Sequence, residues 1–119
     1  MKIAITADGN GPQAKIDPRL GRAKFFAICD VDSGAITFVD NEQNLNAPSG
    51  AGVQAAANIA KSGAKVIITG NCGPKAFRTL EGAGIKLIIG AEGDIKEAIE
   101  RFKRNEYEYA KSSNVEGHW

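Results

Sequence analysis

The sequence predicts an α/β fold: a mixed five-stranded sheet in the order 3-2-1-4-5, with strand 2 antiparallel, and three helices. Three observations carry this. Two apolar runs flank Asp32-Ser33-Gly34, a turn signal that makes them an antiparallel hairpin. From Val53 onward the apolar positions switch to helical spacing. The two later strand segments are short, continuous and rich in Val and Ile, as parallel strands buried on both faces are.

Taken in order, Lys2 to Ala7 reads as strand 1. Asp8 to Arg22 is then a long loop punctuated by Gly9, Gly11, Pro12, Pro18 and Gly21. A loop of that length in a compact domain usually serves function or moves. Lys24 to Asp30 and Ala35 to Asp40 are strands 2 and 3. Beyond the polar stretch Asn41 to Pro48, Val53, Ala56, Ala57 and Ala60 occupy one helical face, with Ser49 as N-cap and Gly63 as the stop. Lys65 to Thr69 is strand 4. Pro74 suits a first helical position; Phe77 and Leu80 give that helix its apolar face, and Gly82 and Gly84 end it. Ile85 to Ile89 is strand 5. Asp94 and Glu97 have capping-box spacing ahead of a last helix, whose buried stripe is Ile95, Ala98, Ile99 and Phe102. The expected organisation is one α/β domain over 1–104 and a polar C-terminal tail over 105–119. Strand 1 should lie centrally beside strand 4, and a crevice should open at their carboxyl ends, where the chain departs in opposite directions.

Composition narrows the function. Hydrophobic residues make up 43% of the 119 positions and charged residues 24%, the balance of an ordinary soluble globular protein. A formal net charge of +1 gives no general pull on nucleic acid or membrane, so neither is an expected partner and any anion site must be local. The opening apolar run Ile3-Ala4-Ile5 is too short for a signal peptide or a membrane span. A cytoplasmic protein with reduced cysteines, monomeric or weakly dimeric, is therefore expected. Cys29 and Cys72 have no CxxC spacing, so no zinc or iron–sulfur ligand set is legible.

Glycine-rich segments should converge on the crevice: Asp8-Gly9-Asn10-Gly11, Gly70-Asn71-Cys72-Gly73-Pro74-Lys75 and Gly90-Ala91-Glu92-Gly93, with Ser49-Gly50-Ala51-Gly52 reaching the same rim. Glycine lets backbone N–H groups approach a ligand, and helix N-termini favour anions. Each segment alone could be no more than a turn. Arg19, Arg22 and Lys24 add local positive charge. No segment is a phosphate-binding P-loop, because Gly70 to Lys75 is too short and lacks the following Ser or Thr. Cys72 precedes a helix start, where the dipole lowers a thiol's pKa. It reads as a metal ligand, a sulfur carrier, a nucleophile, or a small buried turn residue. Cys29, among Phe25, Phe26 and Ile28, reads as core. His118 is the sole histidine and would need the tail to fold over the cleft before it could serve Cys72. The carboxylates are scattered, which argues against two-metal nuclease chemistry.

Four stretches, in this order, resemble the dinitrogenase iron–molybdenum cofactor biosynthesis family: Asp17-Pro18-Arg19-Leu20-Gly21-Arg22-Ala23-Lys24-Phe25-Phe26, Gly50-Ala51-Gly52, Thr69-Gly70-Asn71-Cys72-Gly73-Pro74-Lys75-Ala76-Phe77 and Ala83-Gly84-Ile85. Gly117-His118-Trp119 is also similar to the ends of some small members. The resemblance implies a ribonuclease H-like fold and binding or carriage of nitrogenase cofactor precursors, with cofactor-assembly or ATPase proteins as partners. Its orange-protein branch holds a molybdenum–copper sulfide cluster without covalent protein ligands, and this chain is similar to it in size and pattern. Where some members carry a histidine, this chain has Pro18-Arg19, which implies charge pairing with an anion rather than imidazole coordination.

Three readings follow. The first is a non-catalytic carrier of an anionic metal–sulfur cluster, of Mo–Cu sulfide or iron–molybdenum precursor type. Its cofactor-binding residues would be Gly9, Gly11, Arg19, Gly21, Arg22, Gly50, Gly52, Asn71, Cys72 and Gly73, with Cys72 as a candidate metal ligand. The second is an enzyme that uses Cys72 for sulfur transfer or a redox step. The third is an anion- or nucleotide-sensing interaction domain.

Overall fold

A computed structural model describes residues 1–41 and 50–114 of the chain. Its elements are β1 (Lys2–Ala7), β2 (Phe25–Asp30), β3 (Ile36–Asp40), α1 (Ala51–Lys61), β4 (Val66–Ile68), α2 (Pro74–Gly82), β5 (Lys86–Ile88) and α3 (Ile95–Lys103). The sheet order is β3-β2-β1-β4-β5, as the hydrophobic pattern predicts. β2 runs antiparallel to both β1 and β3, while β4 and β5 extend the sheet in parallel from β1. The hairpin between β2 and β3 closes as its sequence demands. The Asp30 carboxylate accepts the N–H groups of Asp32 and Ser33 at 3.0 and 3.3 Å, and the Gly34 N–H returns to the Asp30 carbonyl at 2.8 Å.

Alternation along the strands divides the core in two. Ala4, Phe26, Ile28, Ile67 and Leu87 face α1 and α2, whose Ala55, Ala56, Ile59, Ala76 and Leu80 complete one cluster. Ile3, Ile5, Ala27, Cys29, Val66, Ile68 and Ile88 face α3, whose Ile95, Ala98 and Ile99 complete the other. β4 and β5 are buried on both faces, which is why their sequences do not alternate. They are two residues shorter than the apolar runs that predicted them.

The caps differ from expectation. Ser49 lies outside the described residues, as do positions 42–48 and 115–119, His118 among them. Gly50 takes the N-cap position of α1 at φ 75°, ψ 10°, a left-handed conformation that glycine adopts without strain. Asp94 is the N-cap of α3, but its side chain makes no capping hydrogen bond, so the capping box does not form. Past α3, Asn105 turns the chain at φ 57°. The following segment lies along the outer edge of β5. The Ala110 N–H donates to the Leu87 carbonyl at 2.7 Å, and the Lys86 ammonium sits 5.1 Å from the Tyr109 ring centroid. Among the described residues no helix is long and apolar enough to cross a membrane.

Because β1, β3, β4 and β5 point the same way, their carboxyl ends share one edge of the sheet. All three helices start there. α1 and α2 pack against each other on one face of the sheet.

Candidate functional site

The long loop after β1 shapes this edge, and it does so in two halves. The first half turns toward the α3 side. The Asp8 N–H donates to the Lys15 carbonyl at 3.0 Å, and the Asp8 carboxylate accepts the Lys15 N–H at 2.9 Å. The Ile16 N–H reaches the Gly93 carbonyl at 2.8 Å, and the Ile95 N–H reaches Ala14 at 3.1 Å. Gly9 and Gly11 belong to this turn. Gly11 lines an apolar cavity of about 190 Å³ with Asn10, Pro12, Ile36, Phe38, Ile95 and Lys96. The structure therefore sets this pair toward the α3 side rather than beside Cys72.

The second half crosses the ends of β1 and β4. The Asp17 N–H donates to the Thr6 carbonyl at 2.9 Å and the Thr6 hydroxyl to the Asp17 carbonyl at 2.6 Å; the Thr6 and Thr69 hydroxyls lie 2.9 Å apart, both buried. Pro18 then lies directly on Gly70. An alanine Cβ at Gly70 would stand 2.8 Å from the Pro18 Cα. The crevice expected between strands 1 and 4 is thus roofed by Asp17, Pro18 and Arg19.

Several of the anticipated residues do come together there. Arg19 pairs with Asn71 in a short parallel bridge, and the Asn71 side-chain amide donates to the Pro18 carbonyl at 3.1 Å. Arg19 is not an isolated charge. Asp17, with a side chain only 9% exposed, accepts the Arg19 N–H at 2.9 Å and lies 3.6 Å from its Nε, while the Arg19 side chain is 46% exposed. Leu20 is fully buried against Ala23, Cys72 and Ala76, which fixes the loop to the α1/α2 core. Gly21 is buried too. Its carbonyl and that of Ala23 accept the Asn41 side-chain amide at 3.2 and 2.8 Å, so its role here is in the loop's own bonding. Arg22 is half-buried. Gly50 and Gly52 stand at the start of α1, and Gly73 is the N-cap of α2. Among the described residues no side chain caps either helix, and neither first turn holds an acidic residue. Each start therefore carries a partial positive charge, and that of α2 lies beside Asn71 and Arg19.

Of the readings open for Cys72, the structure fits the small buried turn residue. It is fully buried, its thiol 3.4 Å from the Gly73 carbonyl, and burial pushes its pKa up to about 12. Proximity to a helix start lowers a thiol's pKa only where the thiolate is solvated or paired; here desolvation dominates. Cys72 is thus a protonated thiol at neutral pH, unsuited to nucleophilic attack. In the native protein it should resist iodoacetamide at pH 8 and react only once urea unfolds the chain, as mass spectrometry would show. The folded state holds the proton more tightly than the unfolded chain. Stability is thus complete below the ordinary thiol range and declines as pH rises through it toward 12. Cys72→Ala should flatten that decline in urea melts; rapid native alkylation would contradict the burial argument.

One participant escaped the sequence. Asn114 accepts the Cys72 N–H through Oδ1 at 2.8 Å and donates through Nδ2 to the Gly70 carbonyl at 3.3 Å and to Asn71 Oδ1 at 3.0 Å. Its own N–H donates to the Cys72 carbonyl at 3.1 Å. The only signal was an Asn in Ser112-Ser113-Asn114, a composition equally at home in a loose tail. Among the described residues, no group of three or more His, Cys, Asp or Glu could hold a metal ion.

Known proteins agree with this architecture. The family model described as dinitrogenase iron-molybdenum cofactor matches residues 1–105. An uncharacterized protein of Methanocaldococcus jannaschii, MJ0580, is 32% identical over 110 residues, covering 91% of this chain and 90% of that protein. The apo form of the orange protein from Desulfovibrio gigas superposes with a TM-score of 0.93 at 41% identity, covering 96% of each chain. A Thermotoga protein described as of NifB type superposes with a TM-score of 0.82 at 29% identity over 98% of each chain.

Proposed function

This chain belongs to the dinitrogenase iron–molybdenum cofactor family, and on that premise we propose that it is a non-catalytic carrier of an anionic metal–sulfide cluster, of the molybdenum–copper or molybdenum–iron type. The cluster is cargo, received from and delivered to cofactor-assembly or ATPase proteins in the cytoplasm. The carrier acts as a monomer or weak dimer on a ribonuclease H-like scaffold.

What supports this reading is Arg19 bridged to Asn71 beside the start of α2 at Gly73, with a second helix start, α1 at Gly50, on the same edge of the sheet. Sulfide ligands on a polyanionic cluster accept hydrogen bonds from backbone N–H groups and from guanidinium. A bare metal ion would find no ligand set among the described residues, whereas a cluster that brings its own sulfides needs none. Arg19, steadied by Asp17 through its main-chain N–H and Nε, keeps its terminal nitrogens for the cargo; Arg22 adds charge; Gly50, Gly52 and Gly73 let the backbone come close. Asn71 and Cys72 hold the α2 side of the rim in shape, with Cys72 as packing rather than as a ligand.

The test is retention. Apo-protein incubated with tetrathiomolybdate and a copper salt, then desalted, is expected to keep visible charge-transfer bands. The double change Arg19→Ala and Arg22→Ala should lower retention about tenfold or more, because two charge-assisted contacts are lost. Absence of retained colour in the unaltered protein, or equal retention in the double variant, would count against the reading. Displacement by a nucleoside triphosphate alone would favour an anion sensor instead.

A further inference from the structure

The bond between Asn114 and Cys72 engages a main-chain N–H next to Gly73, where the carrier reading brings the backbone close to the cargo. At the start of α2, Pro74 has no N–H, so the main-chain donors just before it are those of Cys72 and Gly73. The Cys72 donor is taken. Asn114 Oδ1 lies 2.8 Å from it, while the Asn114 N–H holds the Cys72 carbonyl at 3.1 Å. The same side chain donates to the Gly70 carbonyl and to Asn71 Oδ1, and Asn71 in turn holds the Pro18 carbonyl beside Arg19. One exposed asparagine thus joins the α2 turn to the Arg19 roof.

The segment that delivers it is tied to the end of α3 by Glu106, which pairs with Arg101 and Arg104, and by Arg101 over the Tyr107 ring, but it is held to the sheet at few points. From Asn105 it crosses the β5 edge with Tyr107 packed toward the α3 cluster and Ala110 toward the opposite one. Its backbone bonds to the sheet through the Ala110 N–H and Leu87 carbonyl alone, and most of its side chains are exposed. A strap of this kind opens locally at low cost compared with the sheet beneath it.

We propose that residues 105–114 form an autoinhibitory strap: Asn114 stands in for the cargo at the Cys72 amide, and loading the rim requires the strap to lift. This rests on the carrier reading. The side-chain oxygen of Asn114 and a sulfide of the cargo are competing acceptors for one N–H. The strapped state therefore lowers the apparent affinity by the fraction of molecules in which the strap is open. Loading and strap release are coupled in both directions: cargo frees the segment after α3, and a partner that captured that segment would favour loading.

The test compares tetrathiomolybdate–copper retention in three full-length proteins. Asn114→Ala removes the stand-in acceptor. Ala110→Pro removes the N–H given to Leu87 and loosens the strap without touching the rim. Both variants should bind about tenfold more tightly than the unaltered chain. In the unaltered protein, amide exchange at Cys72 and Asn114 should change on loading while the sheet amides of β1 stay protected. Circular dichroism confirms that each variant is folded. Retention that falls in both folded variants would mean that the strap supports the site rather than competing for it, and would overturn the inference. Retention equal to the unaltered chain would overturn it as well, leaving the carrier reading intact. Absence of retention in all three proteins would end both.

Discussion

Leu20→Ala is expected to destabilise the protein by about 2–5 kcal/mol, the usual range for emptying a fully buried leucine site. Leu20 is 0% exposed although it belongs to a loop, and it packs with Ala23, Cys72 and Ala76. The change should also act on function. Arg19 and Arg22 flank Leu20, and their placement relies on this one apolar anchor. Equilibrium urea unfolding with an unchanged m-value would measure the loss. Val39→Ala is the control: at 41% exposure on β3 it should stay within about 0.5 kcal/mol of the parent. A Leu20 variant as stable as the Val39 control would show that the loop is not fastened as described.

Gly70→Ala is expected to cost about 1–3 kcal/mol, for the opposite reason: a forced contact. Its Cβ would stand 2.8 Å from the Pro18 Cα, 3.0 Å from the Pro18 carbonyl oxygen and 3.1 Å from its Cβ. Two of the three are backbone atoms that cannot swing aside. Proline's fixed φ, the Asp17 bond to Thr6 and the Asn71 bond to Pro18 all resist retreat. The roof would have to lift, carrying Arg19 with it, so cluster retention should fall together with stability. Gly9→Ala meets nothing within 4 Å and should leave both unchanged. Equal behaviour of the two alanine variants would remove the close approach from the description of the rim.

The sheet was legible because each strand announced its environment. A turn signal paired β2 with β3, unbroken Val/Ile runs marked β4 and β5 as doubly covered, and right-handed crossovers then left one economical order. The rim was legible only as a list of glycines and arginines. Gly70 looked like a ligand-facing glycine, yet its missing side chain makes room for Pro18, a fact that depends on two segments far apart in the chain. Cys72 was assigned a lowered pKa from its place before α2, and burial reversed the sign, because local position says nothing about what Leu20 and Ala23 will cover. Asn114 gave no periodic or turn signal that separates a docked segment from a loose one. What escaped at the rim was long-range, whereas the unformed Asp94 capping box was a local miss.

The placement of the two cysteines has a practical consequence. Cys29 belongs to the cluster beneath α3 and Cys72 to the cluster beneath α1 and α2, both free thiols, with the sheet between them. No rotamer change can join them. An oxidised monomer with an internal crosslink could arise only from a chain that had first come apart, so a mobility shift on a non-reducing gel would serve as a lasting chemical record of past unfolding.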